Sequence, residues 1–220
     1  MNRLAIFDCD GTLVDSQHNI CAAMDACFDG AGLALPPRHA ILSVVGLSLP
    51  QAMAQLLPDA DDATHLKLAG EYKLAFQGMR GSGGLADEPL YEGILDALET
   101  LDAAGWLLGV ATGKSDRGLS LILAHHGLSS RFVTLQTADR HPSKPHPAMI
   151  EAAIAEAGAS SETTVMIGDT SYDMAMAVAA GAHPLGVAWG YHPPELLHHS
   201  GAAQVLAHPR EIAAAMETRL

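Results

Sequence analysis

Basic residues are scarce in this chain: 12 Lys and Arg stand against 25 Asp and Glu, a formal net charge of −13. A field of that sign repels nucleic acid and anionic membrane surfaces, so neither is expected as a partner and positive charge can act only locally. Cysteine is scarce too. Its three copies, Cys9, Cys21 and Cys27, form no CxxC pair, which excludes a disulfide framework and a thiolate zinc site. No apolar run reaches the length of a membrane span, and the opening MNRLAIFDCDG enters a charged turn before any signal-like stretch develops. Repeats and low-complexity tracts are missing as well. These absences leave a soluble protein of a reducing compartment, expected in the cytoplasm as a monomer or homodimer. At 220 residues and 49% hydrophobic composition it can bury a core large enough for an α/β domain with an insert.

The pattern of apolar residues divides the chain. Residues 3–8 (RLAIFD) read as a short strand buried on both faces. Residues 16–79 contain no strand core; helices are expected at 16–29, 38–45, 50–57 and 61–79, the last with acidic residues at its positive end. A glycine-rich stretch, 80–89, reads as a linker before a helix at 90–104. Regular alternation follows: strands at 106–111, 131–135, 163–168, 184–188 and 204–206, with helices at 115–126, 146–158, 171–180 and 210–219. Such alternation predicts a mostly parallel sheet covered on both faces, joined by the N-terminal strand. The expected architecture is a Rossmann-like three-layer α/β core from 1–14 and 83–220, with a small all-helical cap at 15–82.

Open α/β sheets place ligands outside the carboxyl ends of their strands. In IFDCDGTLVDSQ (6–17), Asp8 ends the first strand and Asp10 follows two residues later. Thr112 follows the second strand in VATGKS, Lys144 lies in HPSKPHP after the third, and Asp169 follows the fourth in GDTSYD, with Asp173 one helical turn on. Four carboxylates in one crevice repel unless cations sit among them, so Lys144 and a hard divalent ion, most naturally Mg2+, are implied. With these in place a phosphate can be held by the Thr112 hydroxyl, Lys144 and backbone N–H groups. Asp8, at the rigid strand end, then suits a nucleophile, and Asp10 a general acid and base.

Four segments carry a family resemblance: DCDGT at 8–12, ATG with Thr112, SKPHP with Lys144, and GDTSYDM at 168–174. Together they resemble the haloacid dehalogenase-like superfamily, in its phosphatase branch with a helical cap inserted after the first strand. The resemblance implies an aspartyl-phosphate on Asp8, acid–base work by Asp10, and Mg2+ held by Asp8, Asp169 and the Asp10 backbone carbonyl. It further implies that Thr112, Gly113 and Lys144 hold the phosphoryl group while Asp173 supports the metal site and Lys144. Many relatives have asparagine at 113; a glycine there keeps the backbone N–H and loses a side-chain contact. Within the family the chain is most similar to phosphoglycolate phosphatases, which implies hydrolysis of a small phosphate ester such as 2-phosphoglycolate. A phosphosugar mutase of the β-phosphoglucomutase type, and an inorganic pyrophosphatase or nucleotide phosphatase, are the alternatives.

Substrate choice falls to the cap, where Arg38, His39, Lys67, Lys73 and Arg80 are the available anion contacts and Gly46 resembles the place where a cap loop meets the site. Cys9 reads as a small buried thiol. His141, His146, His192, His198 and His199 read as solvated surface.

Overall fold

The computed structural model describes residues 2–217. The first strand, β1 (Asn2–Phe7), explains how the sheet is covered. Its side chains alternate between two cores: Ala5 and Phe7 join one, Leu4 and Ile6 the other. Both faces therefore need a layer of helices. Parallel strands follow on either side: β2 (Trp106–Thr112), β3 (Thr134–Thr137), β4 (Ala159–Gly168), β5 (His183–Val187) and β6 (Val205–Leu206). The order is β3-β2-β1-β4-β5-β6 and every pairing is parallel. The N-terminal strand thus lies in the middle, paired from Arg3 to Phe7 with Trp106 to Val110.

The first four helices after β1 are α1 (Gln17–Gly30), α2 (Arg38–Ser43), α3 (Leu49–Leu56) and α4 (Asp62–Gly81). The Asp61 side chain caps α4 by accepting from the Thr64 N–H at 2.8 Å. These helices pack on one another through a separate apolar core including Met24, Phe28, Ile41, Met53 and Leu68, and form a helical cap region apart from the sheet. The chain leaves and re-enters the sheet region side by side. The Asp15 N–H donates to the Pro89 carbonyl at 2.9 Å and the Tyr91 N–H to the Leu13 carbonyl at 3.1 Å.

The remaining helices are α5 (Ile94–Ala103), α6 (Asp116–His125), α7 (Ala148–Ala157), α8 (Ser171–Ala179), α9 (Pro194–His199) and α10 (Ile212–Glu217), the last preceded by a 3-10 turn at Pro209–Glu211. Side chains of α5, α6 and α10 fill the core on the Phe7 face, and those of α7 and α8 the core on the Ile6 face. This is the expected three-layer α/β fold.

Several boundaries differ from expectation. The third strand begins at Thr134 rather than 131, because Phe132 and Leu128 pack into the core from the preceding turn. The helix expected at 90 begins at Ile94, since Leu90 is paired with Val14. The fourth strand starts early, at Ala159, through a half-exposed polar stretch that meets Asn2 across an irregular register. The short α9 was not foreseen: PELLHH is six residues long and carries too little periodicity to be recognised. Residues 218 and 219 of the helix expected at 210–219 lie outside the described residues.

Candidate active site

Because every strand pair is parallel, the carboxyl ends open at one edge of the sheet. Asp8 directly follows β1, Thr112 closes β2 and Asp169 directly follows β4; each is at most 1% exposed. The two Asp8 oxygens differ. Oδ1 accepts from the Cys9 N–H at 2.7 Å and lies 3.0 Å from the Lys144 ammonium, whereas Oδ2 is buried without a hydrogen-bond partner. A carboxylate oxygen kept both dry and unpaired is costly unless something is meant to meet it.

Asp169 is held from two directions, by the Thr12 hydroxyl at 2.7 Å and by the Tyr191 N–H at 2.9 Å. The intervening turn needs its glycine: Gly11 has φ +85°, and a Cβ there would lie 2.3 Å from an Asp169 oxygen. Asp173 is committed on both oxygens. Oδ1 accepts from Lys144 at 2.6 Å, and Oδ2 accepts from the Thr170 N–H at 3.0 Å and its hydroxyl at 2.6 Å, in a capping box at the start of α8. Lys144 is fully buried, fixed between Asp8 and Asp173.

The Asp10 carboxylate turns elsewhere. Its Oδ1 accepts from the Ser16 hydroxyl at 2.5 Å and lies 3.0 Å from the Lys114 ammonium. Ser16 in turn lies 3.2 Å from the Tyr191 hydroxyl. Asp10 therefore sits beside the Asp8, Asp169 and Asp173 group rather than within it. Lys114, next to the expected Thr112 and Gly113, was passed over in the sequence because nothing there shows which carboxylate it reaches. The Thr112 hydroxyl accepts from the Lys114 N–H at 3.2 Å, stiffening that turn.

Position 113 has a steric explanation. A Cβ on Gly113 would lie 2.6 Å from the Gly46 carbonyl oxygen and 2.8 Å from that of Leu47. An asparagine there would collide with the backbone of the cap loop. The glycine lets that loop close onto the site, as the reading of Gly46 anticipated.

The electrostatics follow from burial. Burial pushes Asp8 up to about 7, aided by the charges of Asp173 and Asp10 and opposed by Lys144. Asp169 is lifted well above the ordinary carboxylate range by burial and by Asp8 and Asp173. Burial alone would lower Lys144, but Asp173 and Asp8 reverse this and keep it charged; Asp10 does the same for Lys114. Burial pushes the Cys9 thiol well up, so it stays protonated and inert. Asp8, Asp169 and Asp173 each place an oxygen within 4.8 Å of the others. An all-oxygen group of three buried carboxylates with one lysine beside it fits a hard divalent cation such as Mg2+.

A family model described as haloacid dehalogenase-like hydrolase matches residues 5–187. The chain belongs to the haloacid dehalogenase-like hydrolases. It is 35% identical over 202 residues to a protein named probable phosphatase IndB from Dickeya dadantii, covering 90% of this chain and 86% of that one. It is 28% identical over 190 residues to a phosphoglycolate phosphatase from Xanthomonas campestris, covering 86% and 84%. The crystal structure of a hydrolase from Pseudomonas syringae superposes with a TM-score of 0.85 at 23% identity, covering 99% of each chain. The aspartate cluster on this fold supports phosphomonoesterase activity.

In this haloacid dehalogenase-like hydrolase the cap region and the sheet edge enclose a cavity of about 370 Å³, reaching from Asp8 and Asp10 up to α1, α2 and α4. Of the cap cations named from sequence, Lys73 and Arg80 line it; Arg38 instead donates to Gln17 at 2.9 Å, exposed Lys67 pairs with Glu71, and neither Lys67 nor His39 lines the cavity. His192 is buried rather than solvated. Its ring accepts from the Ser171 N–H at 3.1 Å and donates to the Ser43 carbonyl at 3.1 Å, joining cap to sheet edge. His141 binds the Gln136 side chain at 2.7 Å and His146 is exposed, so neither joins the carboxylates. Among the described residues no helix is long and apolar enough to cross a membrane.

Proposed function

We propose that this protein is a Mg2+-dependent phosphomonoester hydrolase acting on a small organophosphate through an aspartyl-phosphate on Asp8. The observation that carries the reading is the asymmetry of Asp8: Oδ1 is tied to the Cys9 N–H and Lys144, and Oδ2 is buried and free. In the first half-reaction Oδ2 bonds to phosphorus, the ester P–O bond breaks, and Asp10 gives its proton to the departing oxygen. In the second, Asp10 takes a proton from water as the water oxygen bonds to phosphorus and the acyl-phosphate bond breaks. Phosphate leaves and both aspartates return to their starting states.

The other side chains hold these two in place. Lys144, the Thr112 hydroxyl and the Gly113 N–H steady the phosphoryl oxygens, and Asp173 positions Lys144. Ser16 and Lys114 fix the direction of the Asp10 carboxylate. Mg2+, held by Asp8, Asp169 and the Asp10 backbone carbonyl, would neutralise charge gathering around phosphorus. Residues 1–14 and 83–220 serve as the catalytic core, and residues 15–82 as the cap that selects the substrate. Relatives named phosphoglycolate phosphatase make 2-phosphoglycolate the reference substrate for comparison.

The test is to quench the enzyme in acid during turnover of a monoester carrying radiolabelled phosphate. Label is expected on Asp8, with free phosphate accumulating and EDTA abolishing both. Asp8→Asn should lose label and turnover together. Substantial turnover in that variant overturns the assignment, and isomerisation of a hexose phosphate without phosphate release would point to a mutase.

A further inference from the structure

The cavity above the aspartates is largely apolar. Ile20, Met24, Ile41, Val44, Tyr72 and Phe76 are among its lining residues, and Asp8 and Asp10 lie in the same cavity. Tyr72 and Phe76 stand one turn apart on α4, their ring centroids 6.1 Å apart. Tyr72 is 9% exposed, and its hydroxyl makes no hydrogen bond to any described residue, although it lines the cavity. The hydroxyl is not among the buried unpartnered atoms, so it is reachable from the cavity, where a ligand's polar group can take the place of solvent on it.

The cations of the cavity are already engaged or wet. Lys114 lies 3.0 Å from Asp10 and 5.8 Å from the centroid of the Phe76 ring. Lys73 is paired with Asp139 at 3.7 Å, both partly exposed. Arg80 is half-buried and stands over Phe76 at 5.5 Å, and Arg117 is exposed. None offers a dry, preformed seat for a second carboxylate. The short acidic arm of 2-phosphoglycolate would carry its charge into this apolar space and lose its water without a committed partner.

We infer that the preferred substrate is a phosphate monoester of an uncharged, ring-bearing alcohol, its ring lying against Tyr72 and Phe76 and a polar substituent pairing with the Tyr72 hydroxyl. The inference rests on the phosphomonoesterase reading and names the substrate class of that same site. A cavity of about 370 Å³ has room for a ring beside the phosphoryl group. Hydrophobic burial and ring contact supply the selectivity.

The test uses matched pairs with the full-length protein and Mg2+. Benzyl phosphate and 2-phosphoglycolate both release an alkoxide, so the difference in kcat/KM reports the leaving group's fit. Their non-hydrolysable counterparts, 2-phenylethylphosphonate and 3-phosphonopropionate, give binding by calorimetry. The ring-bearing member of each pair should win by on the order of 10-fold or more, and Phe76→Ala should shrink both ratios. Equal values, or preference for the acidic member in both pairs, overturn the inference while hydrolysis of either ester upholds the phosphatase reading. Tighter binding of the ring phosphonate with no hydrolysis of any ester supports the cavity's preference and overturns the phosphatase reading instead.

Discussion

Lys144 and Tyr72 are both almost completely buried, one on the floor of the site and one in its roof. Lys144 has carboxylate partners at 2.6 and 3.0 Å; the Tyr72 hydroxyl has none among the described residues. The floor is built from strand ends and the first turn of α8, and it satisfies its polar atoms with its own neighbours, Asp8 Oδ2 excepted. The roof is built from cap helices, and its Tyr72 hydroxyl has no protein partner among the described residues. Floor geometry is thus set before a substrate arrives, as preorganised electrostatic catalysis requires, whereas the wall formed by the roof is mainly apolar.

The contrast can be broken most sharply at Lys144. Lys144→Met strands Asp8 and Asp173 without their cation, so turnover should vanish and the fold should lose about 3–5 kcal/mol, measured by chemical denaturation. A variant of wild-type stability would mean that the floor does not depend on its ion pairs. Asp10→Asn should lower kcat by about 10²–10⁴-fold because it removes the proton carrier. It should also cost some stability, because it leaves the Lys114 ammonium without its carboxylate. Near-normal turnover would remove Asp10 from that role.

Gly113→Ala tests the seam between floor and roof. The added Cβ meets the Gly46 carbonyl, so the cap loop must move. Turnover of ring-bearing esters is expected to fall by about 10-fold to 10²-fold, with a lowered melting temperature because the contact is with backbone. No change in kcat/KM would show that the loop's approach is incidental. The smallest effect concerns pH. Asp8 titrates near 7 in the folded, metal-free chain against an ordinary value of 3.8, so the folded state binds the extra proton between these values. Stability from this group therefore falls as pH rises from about 4 to about 7, and Asp169 acts in the same direction. Saturating Mg2+ should raise the melting temperature more at pH 8 than at pH 5; an equal rise at both would contradict this.

The floor was legible in the sequence because its residues sit at strand ends, where a period of two and a glycine-marked turn locate a side chain without knowledge of distant packing. Asp8, Thr112 and Asp169 follow that logic, and Lys144 reaches Asp8 from the loop between β3 and α7. The roof was not legible. Which of Lys67, Lys73 and Arg80 faces the cavity depends on how α4 lies over the sheet edge, and the same placement puts Tyr72 and Phe76 in the wall. The partnership of Lys114 with Asp10 and the burial of His192 are likewise products of tertiary contact. Gly113 was visible as a departure from relatives, yet its cause lay far away in sequence, at Gly46 and Leu47.

The paired crossing of residues 13–15 with 89–91 gives the cap region an unusual independence. Chain that departs and returns at adjacent points closes its loop on the sheet's side whatever lies between, so the strand register is indifferent to the length and sequence of the inserted helices. A different set of helices could be spliced at this doorway while the central strands keep their pairing.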